Sequence, residues 1–548
     1  MSLKPNFATH QVHNQPLPLP DCNLWQIDAP LREAVQRHGG GWAAQELDGQ
    51  GLAAGGELRA AGELANRHRP QLEVVDGHGR RIDEVQFHPA YHQLMRQAMQ
   101  AQVHNFSWRH AQQPGAHVVR AALMYLTSQA DAGTGCPLTM THAAMPVLRQ
   151  QPALAGPWLS RLLGTEYDPR SVAVEHKRGC TIGMGMTEKQ GGSDVRQNST
   201  RAQRQHDGSY ELVGHKFFFS APMSDAHLVL AQADGGLSCF LLPRLLADGS
   251  LNAVRIQRLK NKLGDWSNAS AEVEFTGAGA WRIGEEGRGV ATILQMVALT
   301  RLDCALGSAS GMRQALVQAL HHARQRTAFG RLLIDQPLMR NVLADLALES
   351  EAALALALRV AAAVDAAGHD RQQAAFARVA TAIAKYWVCR RAPGFVNEAQ
   401  ECLGGIGYVE DSVLPRLYRQ APLNSIWEGS GNVQCLDVLR ALQREPECLQ
   451  ALLAELQPVR GLYPDFDASL AWVEAALAQP GALELRCRTL VERIALLLQT
   501  ALLARHVGED VGAAFCRARL GTERGLAYGT LDARAPLSRL LERVMPLL

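Results

Sequence analysis

The sequence predicts a mainly α protein with a small β-domain set in its middle. Three observations predict it. Apolar residues recur at three and four along residues 41–180 and again, in longer segments, along 291–445. Between them, over 181–290, short β-rich runs are divided by DG, GG and SN turn signals. Beyond 446 the helical period returns. A chain of 548 residues buries several cores without covalent staples.

Residues 1–40 are rich in Pro, Asn and Gly and predict an extended arm. In the N-terminal helical domain, 41–180, HPAYHQLMRQAMQAQVHNF and VVRAALMYLTSQADAG read as helices. In the middle β-domain, 181–290, YELVGHKFFFS, AHLVLAQ, SCFLLPR and AEVEF read as strands. Over 291–445, segments opening at ATILQMVAL, LMRNVLADL and FARVATAIA predict the long antiparallel helices of a four-helix bundle. Residues 446–548 predict an additional helical domain, which contains no lysine. The apolar runs AALALALRVAAAV and IALLLQTALLARHV carry arginines and read as buried helices, and no run reads as a membrane span.

Lys and Arg total 55 against 53 Asp and Glu, so overall charge selects no partner. Eleven cysteines form no CxxC pair, and no His cluster has zinc spacing. The expectation is a reducing compartment, no metal and no disulfide framework. The N-terminus lacks the apolar core of a signal peptide, and a cytoplasmic location follows as the expectation.

Five stretches carry chemistry. GMGMTEKQGGSDV (183–195) offers glycines, Thr187 and Ser193, which let backbone and hydroxyl donors approach a ligand. HKFFFS (215–220) is a strand whose alternation sends Phe217 and Phe219 to one face and Lys216, Phe218 and Ser220 to the other. RTAFGRLLIDQPLMR (326–340) joins two long helices and places Arg326 at the junction. ECLGGIGYVEDSVLPRLYRQAP (401–422) sets Gly404, Gly405 and Gly407 at a helix end, a pattern that suits a C-cap or phosphate oxygens. NSIWEGSGN (424–432) holds Glu428 between a tryptophan and a Gly-Ser-Gly turn. Alone, each also reads as ordinary structure. A Rossmann G-x-G-x-x-G is absent.

In this order, TEKQGGSD, KFFFS, RTAFG, GGIG and WEGS resemble the motifs of the acyl-CoA dehydrogenase superfamily over about residues 85–440. The N-terminal arm, Lys189 in the flavin loop, RLDCALGS and the C-terminal extension resemble its DNA-alkylation-response branch. The resemblance implies FAD between the β-domain and the bundle, with Glu428 as the catalytic base. It implies flavin contacts at Met184, Gly185, Met186, Thr187, Gly192, Ser193, Phe218, Phe219, Ser220, Arg326, Gly404, Gly405, Ile426, Trp427, Gly429, Ser430, Gly431 and Asn432. Arg326 would serve the flavin of a neighbouring subunit, which implies a homotetramer. The resemblance also implies double-stranded DNA bound through the C-terminal domain, with Arg440 and Arg524 as contacts. Trp427, Phe218 and Gln420 depart from the family's usual tyrosine, tryptophan and aspartate. The implied function is an FAD protein that binds and protects DNA, with weak dehydrogenase activity on a short branched acyl-CoA such as isovaleryl-CoA. The alternatives are a working acyl-CoA dehydrogenase of catabolism and a flavin-stabilised protein without turnover.

Overall fold

The computed structural model describes residues 7, 9–479, 481 and 483–545. The chain opens with α1 (Ala29–Arg37), α2 (Ala44–Gly55) and α3 (Glu57–Arg67), then a hairpin of β1 (Gln71–Val75) and β2 (Arg81–Gln86). Next come α4 (Pro89–Gln100), α5 (Phe106–Arg109), α6 (Ala116–Ala130), α7 (Gly135–Leu148) and α8 (Pro152–Leu162). Two features differ from expectation. The arm contains α1, which starts at Ala29 with Pro30 in its first turn, behind an Asp28 cap whose carboxylate accepts from the Leu31 N–H. The β1–β2 hairpin interrupts the helical N-terminal region, turning through Asp76–Gly79.

The β-domain comprises β3 (Ile182–Gly185), β4 (Arg201–Arg204), β5 (Tyr210–Ser220), β6 (Ala226–Ala233), β7 (Gly236–Pro243), β8 (Val254–Leu259) and β9 (Ser270–Ile283). Strands β6, β4, β5, β9 and β7 pair in a ring closed by β7 on β6, with β3 added to β6 and β8 to β9. Phe219, Phe240 and Phe275 fill this small barrel. The register of β5 on β9 shifts between Lys216 and Phe219. That irregularity overturns the alternation read from HKFFFS: Lys216 turns inward with Phe219, at 1% exposure each, while Phe218 is left 51% exposed.

The bundle follows: α9 (Gly289–Ala323), a hairpin of β10 (Thr327–Ala328) and β11 (Arg331–Leu332), α10 (Pro337–Ala366), α11 (Arg371–Leu403), the short α12 (Leu414–Gln420) and α13 (Gly431–Arg444). The chain ends in α14 (Pro446–Leu456), α15 (Pro464–Leu477), α16 (Leu483–His506), α17 (Glu509–Leu520) and α18 (Leu537–Val544). Helix α16 packs on α10, α11 and α13, so the C-terminal helices and the bundle share one core. Arg519 pairs with buried Asp345 and Glu349 of α10, and Arg543 bridges Glu33 and Glu351. Against the sequence expectation, α9 is long and apolar enough to cross a membrane by length and composition, and 67% of that stretch is buried inside the protein. All eleven cysteines are free thiols.

Candidate active site

Glu428 sits in the turn between α12 and α13 with φ of 60°, followed by Gly429 at 92°. A glutamate in this left-handed region costs of the order of 1–3 kcal/mol and persists only where its surroundings over-determine it. Three helices do so. Lys385 of α11 donates to the carbonyls of Trp427 (2.8 Å) and Gly429. Arg301 of α9 donates to the Glu428 carbonyl at 3.1 Å, and Gln434 of α13 donates to the Glu428 and Gly429 carbonyls at 3.0 and 2.9 Å. The Glu428 N–H has no acceptor among the described residues.

The carboxylate accepts a 2.7 Å hydrogen bond from the Thr300 hydroxyl. Burial raises its pKa above the usual glutamate value, and the Thr300 bond and the charges of Arg301 and Lys385 offset this only in part. Asp437, the next acid along the chain, is neutralised by Arg301 and Arg378 at 2.7 and 2.9 Å. Trp427 and Met186 pack on one apolar cluster containing Met184, Cys136, Met296 and Val297. The strand carrying the Gly-rich loop, helix α9 and the Glu428 turn therefore meet at one place.

The Gly-rich loop is anchored from beneath. Glu188 accepts from Lys216 Nζ (2.8 Å), from the Ser199 N–H and hydroxyl (2.7 and 2.9 Å) and from the Thr200 N–H (3.2 Å). Burial opposes its ionisation, but Lys216 and these bonds hold the carboxyl well below the usual range. The loop beyond it is open: Gly192 and Ser193 are exposed. Thr187 is half-buried, and its carbonyl accepts from the Phe217 N–H at 2.8 Å.

Other expected residues lie apart. Phe219 is enclosed in the barrel, stacked on His227 with centroids 3.7 Å apart, so its ring faces no ligand. A Cβ at Gly185 would come within 2.7 Å of that ring. Ser220 faces the Ser270 hydroxyl at 3.2 Å. Arg326 is held by the Asn14 carbonyl of the arm, and Gly404 and Gly405 lie on an exposed turn after α11. Among the described residues, no hydrogen bond joins these three to the loop or to Glu428. Ile426, Ser430 and Asn432 are exposed, and Gly431 faces Tyr386 and Arg488. Gln420 bonds Asn66 at 3.4 Å.

Sequence reasoning missed Thr300, Lys385 and Gln434. Lys385 alone left a signal, as one cation inside the apolar run of α11. Lys385→Met should cost about 2–4 kcal/mol through two stranded carbonyls, and it should release the Glu428 turn. Thermal unfolding and flavin retention check this. Thr300→Val removes the bond that eases ionisation. The pH at which the base ionises should therefore rise, moving the acid limb of flavin reduction upward.

Three family models match the chain: the adaptive response protein AidB N-terminal domain over 14–169, the acyl-CoA dehydrogenase middle domain over 183–278, and the acyl-CoA dehydrogenase C-terminal domain over 287–443. AidB of Escherichia coli (strain K12), an acyl-CoA dehydrogenase by name, is 49% identical over 523 residues, which is 95% of this chain and 96% of that one. The chain belongs to the acyl-CoA dehydrogenase family, on its AidB branch. The crystal structure of Caenorhabditis elegans ACDH-11 in complex with C11-CoA superposes with a TM-score of 0.83 at 26% identity, covering 100% of this chain and 96% of that one. An acyl-CoA dehydrogenase from Bacillus anthracis complexed with FAD shares the fold, with a TM-score of 0.65 at 18% identity over 84% of this chain and 93% of that one.

The cofactor of the family is FAD, and the residues of this site fit it. The Thr187 and Ser193 hydroxyls have no hydrogen-bond partner among the described residues, and Phe218 offers a half-exposed ring. The Ser430 side chain leaves the N-terminus of the 14-residue α13 uncapped, as a diphosphate site requires.

Proposed function

We propose that the chain is a cytoplasmic, FAD-binding, AidB-like protein of the alkylation response. In this reading it binds double-stranded DNA through its C-terminal helices and retains weak dehydrogenase activity on a short branched acyl-CoA. Bound FAD supplies a hydride acceptor. Glu428 takes the α-proton, and its desolvated carboxylate makes it a stronger base than an exposed glutamate. The unpaired Glu428 N–H is available to a thioester carbonyl, where developing negative charge strengthens such a bond. Trp427, larger than the family's usual tyrosine, restricts the acyl group. Phe329, Leu338 and Tyr408 are 99%, 82% and 85% exposed around the Arg326 and Gly404 turns. These apolar side chains support a homotetramer in which a neighbouring chain meets both turns.

The observation that carries the DNA reading is how the C-terminal charges are sorted. Arginines and acids balance over 440–548, but seven of the thirteen arginines there are spent on carboxylates: Arg460, Arg505, Arg517, Arg519, Arg534, Arg539 and Arg543. The other six, Arg440, Arg444, Arg486, Arg488, Arg493 and Arg524, have no ion pair among the described residues. Arg486 and Arg493 lie over the Trp472 ring at 4.8 and 4.5 Å, and Arg493 feels the charge of Arg524. Unpaired guanidinium groups at the end of the bundle and on the C-terminal helices suit phosphates.

Deleting 446–548 would strip α16 from the shared core, so point substitutions are the cleaner test. The Arg440→Glu/Arg524→Glu double variant should bind duplex DNA at least tenfold more weakly by fluorescence anisotropy. Its salt slope should shrink by about 2 if each arginine meets one phosphate. Unchanged affinity would remove these residues from the interface. The second reading, a catabolic acyl-CoA dehydrogenase, is favoured by the intact Glu428 geometry. Fast turnover with isovaleryl-CoA would promote it.

A further inference from the structure

A cavity of about 210 Å³ lies between α4, the segment 167–181 and the turn that joins β5 to β6. It shares no lining residue with the flavin set or with Glu428. Its size is below the range of about 300–1,000 Å³ typical of drug-sized ligands, which suits a small molecule.

Its charges are not fully paired. Lys177 meets Asp225 at 2.9 Å, and Arg170 meets Asp168 at 2.6 Å. Two lining groups remain. Arg244 spends one donor on the Ser171 hydroxyl at 2.9 Å and has no carboxylate within 4 Å among the described residues. Glu84 has neither an ion pair nor a side-chain hydrogen bond there, although its charge, after that of Asp225 and with that of Asp83, reaches Arg244. Burial lowers the Arg244 pKa, and the guanidinium stays charged at neutral pH. A third group is also unsatisfied: Ser224 lines the cavity, is 3% exposed, and its hydroxyl has no partner. A buried hydroxyl without a partner is destabilising, and such a group calls for a ligand or a water. The remaining wall is apolar and polarisable. Phe87 and Tyr91 stack with centroids 4.0 Å apart. Met223, whose sulfur accepts from the Val85 N–H at 3.3 Å, lies on that wall with Met95.

We propose that this cavity binds a small zwitterion of the α-amino-acid type with an apolar side chain. Its carboxylate goes to Arg244 and Ser224, its ammonium to Glu84, and its side chain to the Phe87–Tyr91–Met223 wall. A simple anion would leave Glu84 unmatched beside its own charge, and a simple cation would leave Arg244 so. The zwitterion satisfies both.

The test is isothermal titration calorimetry on the full-length holoprotein. The probes are L-phenylalanine, L-methionine and L-leucine, with N-acetyl-L-phenylalanine and L-phenylalanine methyl ester as charge-blocked controls. The expected result is saturable binding of at least one free amino acid, at least tenfold tighter than either blocked form. Arg244→Gln and Glu84→Gln should each weaken it at least tenfold, and Ser224→Ala less, with the flavin spectrum unchanged. Binding of neither methionine, leucine nor phenylalanine overturns the proposal. So does equal binding of the blocked forms. Binding that survives both Arg244→Gln and Glu84→Gln places the ligand elsewhere and overturns the site.

Discussion

Glu428→Gln should slow acyl-CoA-driven flavin bleaching by about 10²–10⁴-fold or more, the usual loss on removing a general base, while the folded protein becomes more stable at neutral pH. The two effects have one cause. Burial raises the Glu428 pKa above its value in the unfolded chain. The folded state therefore holds that proton more tightly, and Glu428 favours folding below the unfolded pKa. This advantage is lost as pH rises through the folded pKa, so at pH 7 the ionised carboxylate opposes folding. Glutamine keeps the shape and the acceptor for Thr300 and removes the charge. A higher Tm with lost activity would confirm the assignment. A lower Tm at pH 7 would mean that Arg301 and Lys385 need the charge, contrary to the desolvation argument. The Tm gap between variant and wild type should close as the pH is lowered toward that at which unfolded glutamate protonates.

The second large effect lies under the Gly-rich loop. Lys216→Met should cost about 3–5 kcal/mol, because it leaves Glu188 buried without its cation. Both side chains are fully enclosed, and their contact is 2.8 Å. The same carboxylate ties the Ser199 and Thr200 backbone to the base of the loop. The variant should therefore lose FAD as well as stability, and FAD content after gel filtration should fall together with Tm. A variant that lost stability but kept stoichiometric FAD would show that the pair supports the barrel and not the loop.

Much of this was legible in the residues. YELVGHKFFFS coincides with β5, and the three long apolar-striped segments coincide with α9, α10 and α11 to within a few residues, because helical and strand periods declare themselves over such lengths. The orientation of Lys216 was not legible. It depends on a register shift against β9, and a strand cannot announce an irregularity that its partner creates. The β1–β2 hairpin was hidden for a different reason: its strands span five and six residues, are charged and half-exposed, and lie among stronger helical signals. Glu428 was legible as a residue type in a motif. Its support was not, because Thr300, Lys385 and Gln434 come from three helices that only the fold brings together. The net balance of the C-terminal domain likewise concealed its sorting, since composition does not show which arginines are consumed by carboxylates.

The central claim is that the Gly-rich loop and the Glu428 turn form one FAD site with a working, desolvated base. The most direct test is the visible spectrum of the purified protein, recorded before and after anaerobic addition of isovaleryl-CoA. The account predicts an oxidised flavin spectrum at one FAD per chain that bleaches slowly with isovaleryl-CoA in the wild type and not measurably in Glu428→Gln. A protein that purifies without flavin and takes up none on incubation with FAD, or a flavin that bleaches equally in both, would contradict it.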